Sequence, residues 1–315
     1  MFLSTGYIIA GLVLLYAGAE GLVRGSSSLA LRMGITRLVV GLTVVALGTS
    51  SPELVVGIKA ALEGGADIAV GNVVGSNIMN VALILGIAAL IYPLKKTNDL
   101  IRVQIPVMIG VSVILLMMLA DGSLDRWEGT LLVLGIICYT VFSIAQAKTS
   151  DNTKTLGGEE PYVPKGQRSL LRDVMFVLSG GLLLVWGGNL FVTGAVAVAH
   201  VLGMSQAVIG LTIVAIGTSL PELATSVVAS FKKENDISVG NIVGSNIFNI
   251  LAILGIVSLI SPLITETIRP FDLAVMLATA VLVFVLAISG RRLNRWEGGI
   301  LVIIYVAYVS FRVVM

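Results

Sequence analysis

The sequence predicts an all-α membrane protein: ten transmembrane helices forming two inverted five-helix repeats, with helices 2 and 7 broken. Three observations point there. The chain of 315 residues is 57% hydrophobic and only 12% charged, well outside soluble usage. Nearly all of it aligns with itself, without gaps, at a single offset of 169 residues. Each copy also places a Pro-Glu pair inside an apolar run that otherwise reads as a buried helix. A helix needs about 20 apolar residues to cross roughly 30 Å of hydrocarbon. Ten runs qualify: 4–24, 37–62, 68–94, 101–120, 126–147, 170–199, 206–231, 237–262, 270–289 and 296–314. Little chain remains for a soluble domain.

The first run lacks the basic n-region of a signal peptide. Its Gly18 and Gly25 have twins in Gly187 and Gly194, so a retained first helix is expected. The second run carries "LGTSSPE". Pro52 has no N–H and its ring crowds the carbonyl four residues back, so carbonyls around Gly48 and Thr49 lose their partners. Such backbone is tolerated at membrane depth only when buried in protein or lining a wet cavity, and broken transporter helices offer it to cations. Run 7 repeats the arrangement in "IGTSLPE", with Thr218, Pro221 and Glu222. The third run holds "GNVVGSNIMN". Gly71 and Gly75 form a GxxxG pair that admits a close helix, while Asn72, Ser76 and Asn80 share one helical face. Run 8 repeats this in "GNIVGSNIFN", with Gly240, Gly244, Asn241, Ser245 and Asn249. "DRWEG" opens the fifth run and "NRWEG" the tenth. Asp125 with Glu128 and Asn294 with Glu297 read as helix caps, and Trp127 and Trp296 suit an interfacial belt.

These runs divide the chain into a first repeat, 1–147, a linker, 148–169, and a second repeat, 170–315. The linker is rich in Gly, Pro, Ser, Thr and charge, so it reads as flexible, and it is too short for a folded domain. Five crossings are an odd number, so the second copy starts on the opposite side and is inverted. Loop charge agrees: only Lys59, Arg126, Arg269 and Arg312 fall on one side, while the other sixteen Lys and Arg fall on the linker side. That side is assigned to the cytoplasm, which puts both termini outside a cell membrane.

The buried acids carry the chemistry. A charge at the bilayer centre costs about 2.5–3.5 kcal/mol on insertion scales. Two at matching depth would also repel, and a bound cation relieves both costs. The donors available near Glu53 and Glu222 are all oxygen: backbone carbonyls, the hydroxyls of Ser50 and Ser219, the amides of Asn80 and Asn249. Hard cations choose such sites, and Ca2+ tolerates irregular cages better than Mg2+. Two negative charges balance one Ca2+ or are shared by several Na+. The single Cys138, read as an apolar filler, and the single His200 leave no soft-metal or disulfide chemistry. No cofactor is expected, and a net charge of +2 scattered between apolar spans gives no sign of nucleic acid binding.

GTS-x-PE followed by GN-x-x-GSN-x-x-N, each occurring twice in an inverted repeat, resembles the sodium/calcium exchanger family. The resemblance covers almost the whole chain. It implies antiport of Na+ against Ca2+ by alternating access, with Glu53 and Glu222 as central ligands of both transported ions. It also implies that carbonyls of Ala46, Thr49, Ala215 and Thr218 and side chains of Ser50, Ser219, Ser76, Ser245, Asn80 and Asn249 complete neighbouring sites. Some relatives that also move potassium carry Asp where Asn80 or Asn249 stands, which counts against K+ coupling here. The linker has no room for the regulatory domain of animal exchangers. The Ca2+/H+ branch usually shows a different acidic motif, so protons rank second as driving ion.

Helices 1 and 6, smoothed by Gly18, Gly25, Gly187 and Gly194, are candidates to slide across the core. A Ca2+ channel also uses Glu and carbonyls, but channels more often assemble a pore from several subunits, whereas this chain already carries both halves of a site. A monomeric functional unit in the lipid bilayer is therefore expected. No nucleotide loop or nucleophile-base pair suggests an enzyme.

Overall fold

The computed structural model describes residues 2–95, 97–155, 170–202, 215–265, 270–290 and 292–314. Its helices, in chain order, are α1 (Phe2–Met33), α2 (Arg37–Thr49), α3 (Ser51–Leu62), α4 (Ala66–Ile91), α5 (Leu100–Asp121), α6 (Arg126–Thr155), α7 (Leu170–Val201), α8 (Ala215–Thr218), α9 (Leu220–Phe231), α10 (Asn235–Ile260), α11 (Pro270–Ile288) and α12 (Arg295–Val314). Among the described residues seven helices are long and apolar enough to cross a membrane. The pair α2 and α3, bent by 45° at its break, makes an eighth. The start of the seventh predicted run, 206–214, lies outside the described residues.

Two boundaries differ from the sequence expectation. Helix α1 runs on to Met33 rather than ending near residue 24, because nothing in "GSSSLALRM" breaks it until Gly34, which takes the left-handed φ of 63° that ends helices. Helix α6 likewise continues through Lys148–Thr155, where a flexible linker was expected; that stretch contains neither Gly nor Pro. The remainder of the linker, 156–169, lies outside the described residues.

Helices α4 and α10 form the centre. In α10, 89% of the most apolar stretch is buried, against 28% in α7. In α10 the GxxxG spacing brings a close helix, since a Cβ at Gly240 or Gly244 would come within 2.6 Å of the carbonyl of Leu38 or Leu42 on α2, whereas Gly71 and Gly75 of α4 meet nothing within 4 Å among the described residues. Gly18, Gly25, Gly187 and Gly194 play a different part from the one expected. They do not smooth α1 and α7 against the core but join the two helices to each other. Gly18 abuts Gly180 and Leu184, and Gly194 abuts Ser4 and Ile8. Apolar packing follows the same division. One large cluster runs through α4, α5, α10 and α11, and a smaller one, including Leu15, Leu22, Val39, Leu184 and Val228, joins the α1–α7 pair to α2 and α9.

Four two-residue strands also occur, invisible to any periodicity argument. β1 (Leu94–Lys95) pairs antiparallel with β4 (Arg292–Leu293), and β2 (Ser123–Leu124) pairs with β3 (Leu263–Ile264). In the repeat register β1 corresponds to β3 and β2 to β4, so each sheet joins one copy to the other. The caps at "DRWEG" and "NRWEG" form as expected. Glu128 N–H donates to Asp125 Oδ1 at 2.8 Å while Asp125 N–H donates to Glu128 Oε2 at 2.9 Å, and Asn294 N–H donates to Glu297 Oε2 at 2.6 Å. Trp127 and Trp296 are exposed. Cys138 is exposed on α6 rather than filling the core, because Leu132, Ile136 and Tyr139 take the inward face.

Candidate cation site

The site grows from two helix breaks. Ser50, between α2 and α3, sits at φ −83°, ψ 6°, and Ser219, between α8 and α9, at φ −90°, ψ 8°. Each precedes a proline by two residues, and the missing N–H of Pro52 or Pro221 interrupts the hydrogen-bond ladder there. The chain restarts as helix with Glu53 and Glu222 in the first turn, where the exposed N–H ends of the helix favour negative charge. Both carboxylates are fully buried.

Each carboxylate is held by the serine of the opposite break. Ser219 Oγ donates to Glu53 Oε1 at 3.1 Å, and Ser50 Oγ donates to Glu222 Oε1 at 3.0 Å. A second crossed pair lies alongside: Thr49 Oγ1 donates to Asn241 Oδ1 at 3.0 Å, and Thr218 Oγ1 to Asn72 Oδ1 at 3.4 Å. Ser76 Oγ lies 3.0 Å from Ser219 Oγ, and Ser245 Oγ lies 3.4 Å from Thr49 Oγ1. Of the expected carbonyls, that of Ala46 accepts the Ser50 N–H at 2.9 Å and Thr49 Oγ1 at 3.3 Å. The second break closes more tightly, with Ser219 N–H donating to Ile216 O at 3.1 Å. Ala215 opens α8, one turn before that break.

Asn80 and Asn249 sit where α4 and α10 widen into π-helical turns, Met79–Ile84 and Asn249–Leu254. Such turns are rare and concentrate at functional positions. Asn249 Nδ2 donates to Asn77 Oδ1 at 3.0 Å, and Asn77 Nδ2 donates to Asn246 O at 3.2 Å. Asn77 and Asn246 were not singled out from sequence, although the duplicated GSN triplet contains both. Asn72 and Asn241 were seen as part of a polar face, but not as partners of the threonines.

Among the described residues, fifteen buried side-chain polar atoms lack a hydrogen-bond partner, and four acceptor oxygens among them match pairwise in the repeat register: Oε2 of Glu53 and of Glu222, Oδ1 of Asn80 and of Asn249. Both polar atoms of Asn80 are in this state. Buried oxygens of this kind are costly unless something ligates them. Two carboxylate and two amide oxygens suit a hard cation. No group of three or more His, Cys, Asp or Glu able to hold a metal occurs among the described residues. Beside Ser50 lies an apolar cavity of about 380 Å3, lined by Leu47, Leu54, Ile136, Phe248 and Ile253, which touches the site only at its edge.

Known proteins resemble the chain over nearly its whole length. The sequence profile described as sodium/calcium exchanger protein matches residues 3–145 and 173–314. CaxA of Alkalimonas amylolytica is 40% identical over 313 residues, covering 98% of both chains. The sodium/calcium exchanger MaX1 of Methanosarcina acetivorans is 32% identical over 336 residues, covering 96% of each. The solved structure of the sodium-calcium exchanger NCX_Mj, soaked with Na+ and Ca2+, superposes with a TM-score of 0.85 at 30% identity, covering 98% of both chains.

Proposed function

We propose that this chain, which belongs to the sodium/calcium exchanger protein family, exchanges Na+ for Ca2+ across a cell membrane by alternating access, both ions using the Glu53–Glu222 centre. It is a multi-pass membrane protein whose relatives are exchangers and antiporters, not enzymes. The observation that carries the ion reading is the matched set of four buried acceptor oxygens without partners. A cation between the two acids offsets their desolvation and their mutual repulsion together. The ligand set of this proposal is Glu53 and Glu222 with Ser50, Ser219, Ser76, Ser245, Asn80 and Asn249, and carbonyls of Ala46, Thr49, Ala215 and Thr218.

The architecture we assign is ten crossings in two inverted repeats, both termini outside, the linker cytoplasmic, and one chain as the functional unit. Reciprocal contacts such as Ser219 to Glu53 and Ser50 to Glu222 support a two-fold relation between the copies. The α1–α7 pair, glued by glycines and served by its own small apolar cluster, is the natural moving layer. An empty pair of buried acids disfavours reorientation, and occupancy by Ca2+ or by Na+ removes that barrier, which favours exchange over leak. Purified protein in proteoliposomes tests the reading, with Na+, K+ and H+ gradients imposed separately while radioactive Ca2+ uptake is followed. Uptake that requires an opposing Na+ gradient is expected; Ca2+ entering regardless of internal Na+ would overturn the proposal in favour of a channel.

A further inference from the structure

Just beyond the acids, the two copies part company. Val56, Gly57, Ala61 and Ala69 of the first are matched in the second by Thr225, Ser226, Ser230 and Ser238. Glu222, Ser226 and Ser230 recur every four residues along α9 and share a face, while Ser238 continues the α10 face of Asn241, Ser245 and Asn249. The polar groups of the two helices meet. Asn241 Nδ2 donates to Ser226 Oγ at 3.1 Å, Ser238 Oγ donates to Ser226 O at 3.1 Å, and Ser230 Oγ lies 3.2 Å from Ser238 Oγ.

Hydroxyls inside helices commonly turn back onto the carbonyl four residues earlier, as Thr43 and Ser112 do here. Those of Ser230 and Ser238 reach between helices instead. All four side chains are at most 1% exposed, and Thr225 Oγ1 has no hydrogen-bond partner among the described residues. From Glu222 to Ser230 the file covers about 12 Å at 1.5 Å per helical residue. It ends at the loop Lys232-Lys233-Glu234, where the first copy has Glu63-Gly64-Gly65. Lys233 holds a φ of 60°, a conformation suited to glycine, which its twin Gly64 occupies at 77°. Lys232 Nζ meets Glu20 Oε1 of α1 at 2.5 Å, and Arg37 of α2 meets Glu234 at 2.6 Å. The outer end of the file is thus tied to the α1 side of the molecule.

We propose that Thr225, Ser226, Ser230 and Ser238 form a one-sided hydrophilic path by which a hydrated cation reaches Glu222 from the face bearing Lys232 and Glu234, and that the Glu20–Lys232 and Arg37–Glu234 pairs close it. This rests on the antiport reading above. The corresponding route in the first copy is apolar, so the two sides of the membrane are served unequally.

Side-specific labelling in proteoliposomes of known orientation tests the path. In a Cys138→Ala background, Ser226→Cys, Ser230→Cys and the twin control Ala61→Cys are exposed to a membrane-impermeant thiol reagent from either face. The two serine replacements are expected to react only from the Lys232 face, and faster when Lys232→Ala removes its ion pair. Ala61→Cys is expected to react from neither. Reaction from the opposite face, from neither face, or equally at Ala61→Cys overturns the proposal. A second variant installs residues the first copy already carries: Thr225→Val, Ser226→Gly, Ser230→Ala and Ser238→Ala together. Ca2+ binding to the purified variant should be unchanged, while exchange with Ca2+ supplied on the Lys232 face slows about tenfold. An unchanged rate sinks the path and leaves antiport standing. Absence of Na+-driven Ca2+ flux in the unsubstituted protein sinks the antiport reading itself.

Discussion

At the centre of the molecule Ser219 serves Glu53 and Ser50 serves Glu222, at 3.1 and 3.0 Å. Two turns further along, Ser230 stands on α9 where α3 has Ala61, and a charged loop stands where the first copy has two glycines. The contrast separates two kinds of constraint. Where the copies exchange contacts, each residue answers to its counterpart in the other copy, so under the ligand shell we propose both must keep the same chemistry. Where, in the proposed topology, each copy meets its own side of the membrane, no such reciprocity acts.

Substitutions can break or sharpen that contrast. The largest effect is expected from Glu53→Gln or Glu222→Gln, each removing one charge from a buried, paired site. Loss of about 100-fold or more in Na+-dependent Ca2+ uptake is expected for both, with folded protein still recovered from the membrane. A large effect at only one of them would end the symmetry. Ser50→Ala and Ser219→Ala each remove a hydrogen bond to a carboxylate, so each should raise the half-saturating Ca2+ concentration about tenfold. The decisive quantity is the ratio of the two effects, expected near unity in a Ca2+ titration of transport.

Stability distinguishes the packed centre from the outer surface. Gly244→Ala would push a Cβ to 2.6 Å from the carbonyl of Leu42, costing about 1–3 kcal/mol and visibly lowering the thermal midpoint in detergent. Gly110→Ala meets nothing within 4 Å among the described residues and should be neutral or slightly stabilising. The smallest effect belongs to Glu128→Gln. Glutamine also serves in this cap, so transport should persist and stability should change by no more than about 0.5 kcal/mol. A loss of transport matching that of Glu53→Gln would assign the acids a structural role.

Much of this was legible in the sequence because duplication made it so. The breaks at Ser50 and Ser219 follow from a proline two residues on, and the close approach of α10 to α2 follows from Gly240 and Gly244. Pairing across the copies was not legible. Ser219 and Glu53 are 166 residues apart, and only the packing of the two halves decides that a serine serves the other copy's acid rather than its own. The π-helical turns at Met79–Ile84 and Asn249–Leu254 each hold one asparagine, Asn80 or Asn249, in an otherwise apolar run, and nothing in that pattern distinguishes a widened turn from a regular one. The glycines of α1 and α7 were visible, but the surface they face was not: spacing shows that a helix can be approached closely without naming what approaches.

The exchanged strands bear on how the chain is made. Leu94 is synthesised about 200 residues before its partner Leu293, and at 5–20 residues per second that amounts to roughly 10–40 s of translation. Throughout that interval β1 is without its partner strand, and its two-residue length and Lys95 keep that edge a poor template for a foreign strand. Closure of this sheet therefore waits on the second copy, and a nascent chain stalled before Arg292 would leave Leu94 and Lys95 without the strand that ties the two copies together.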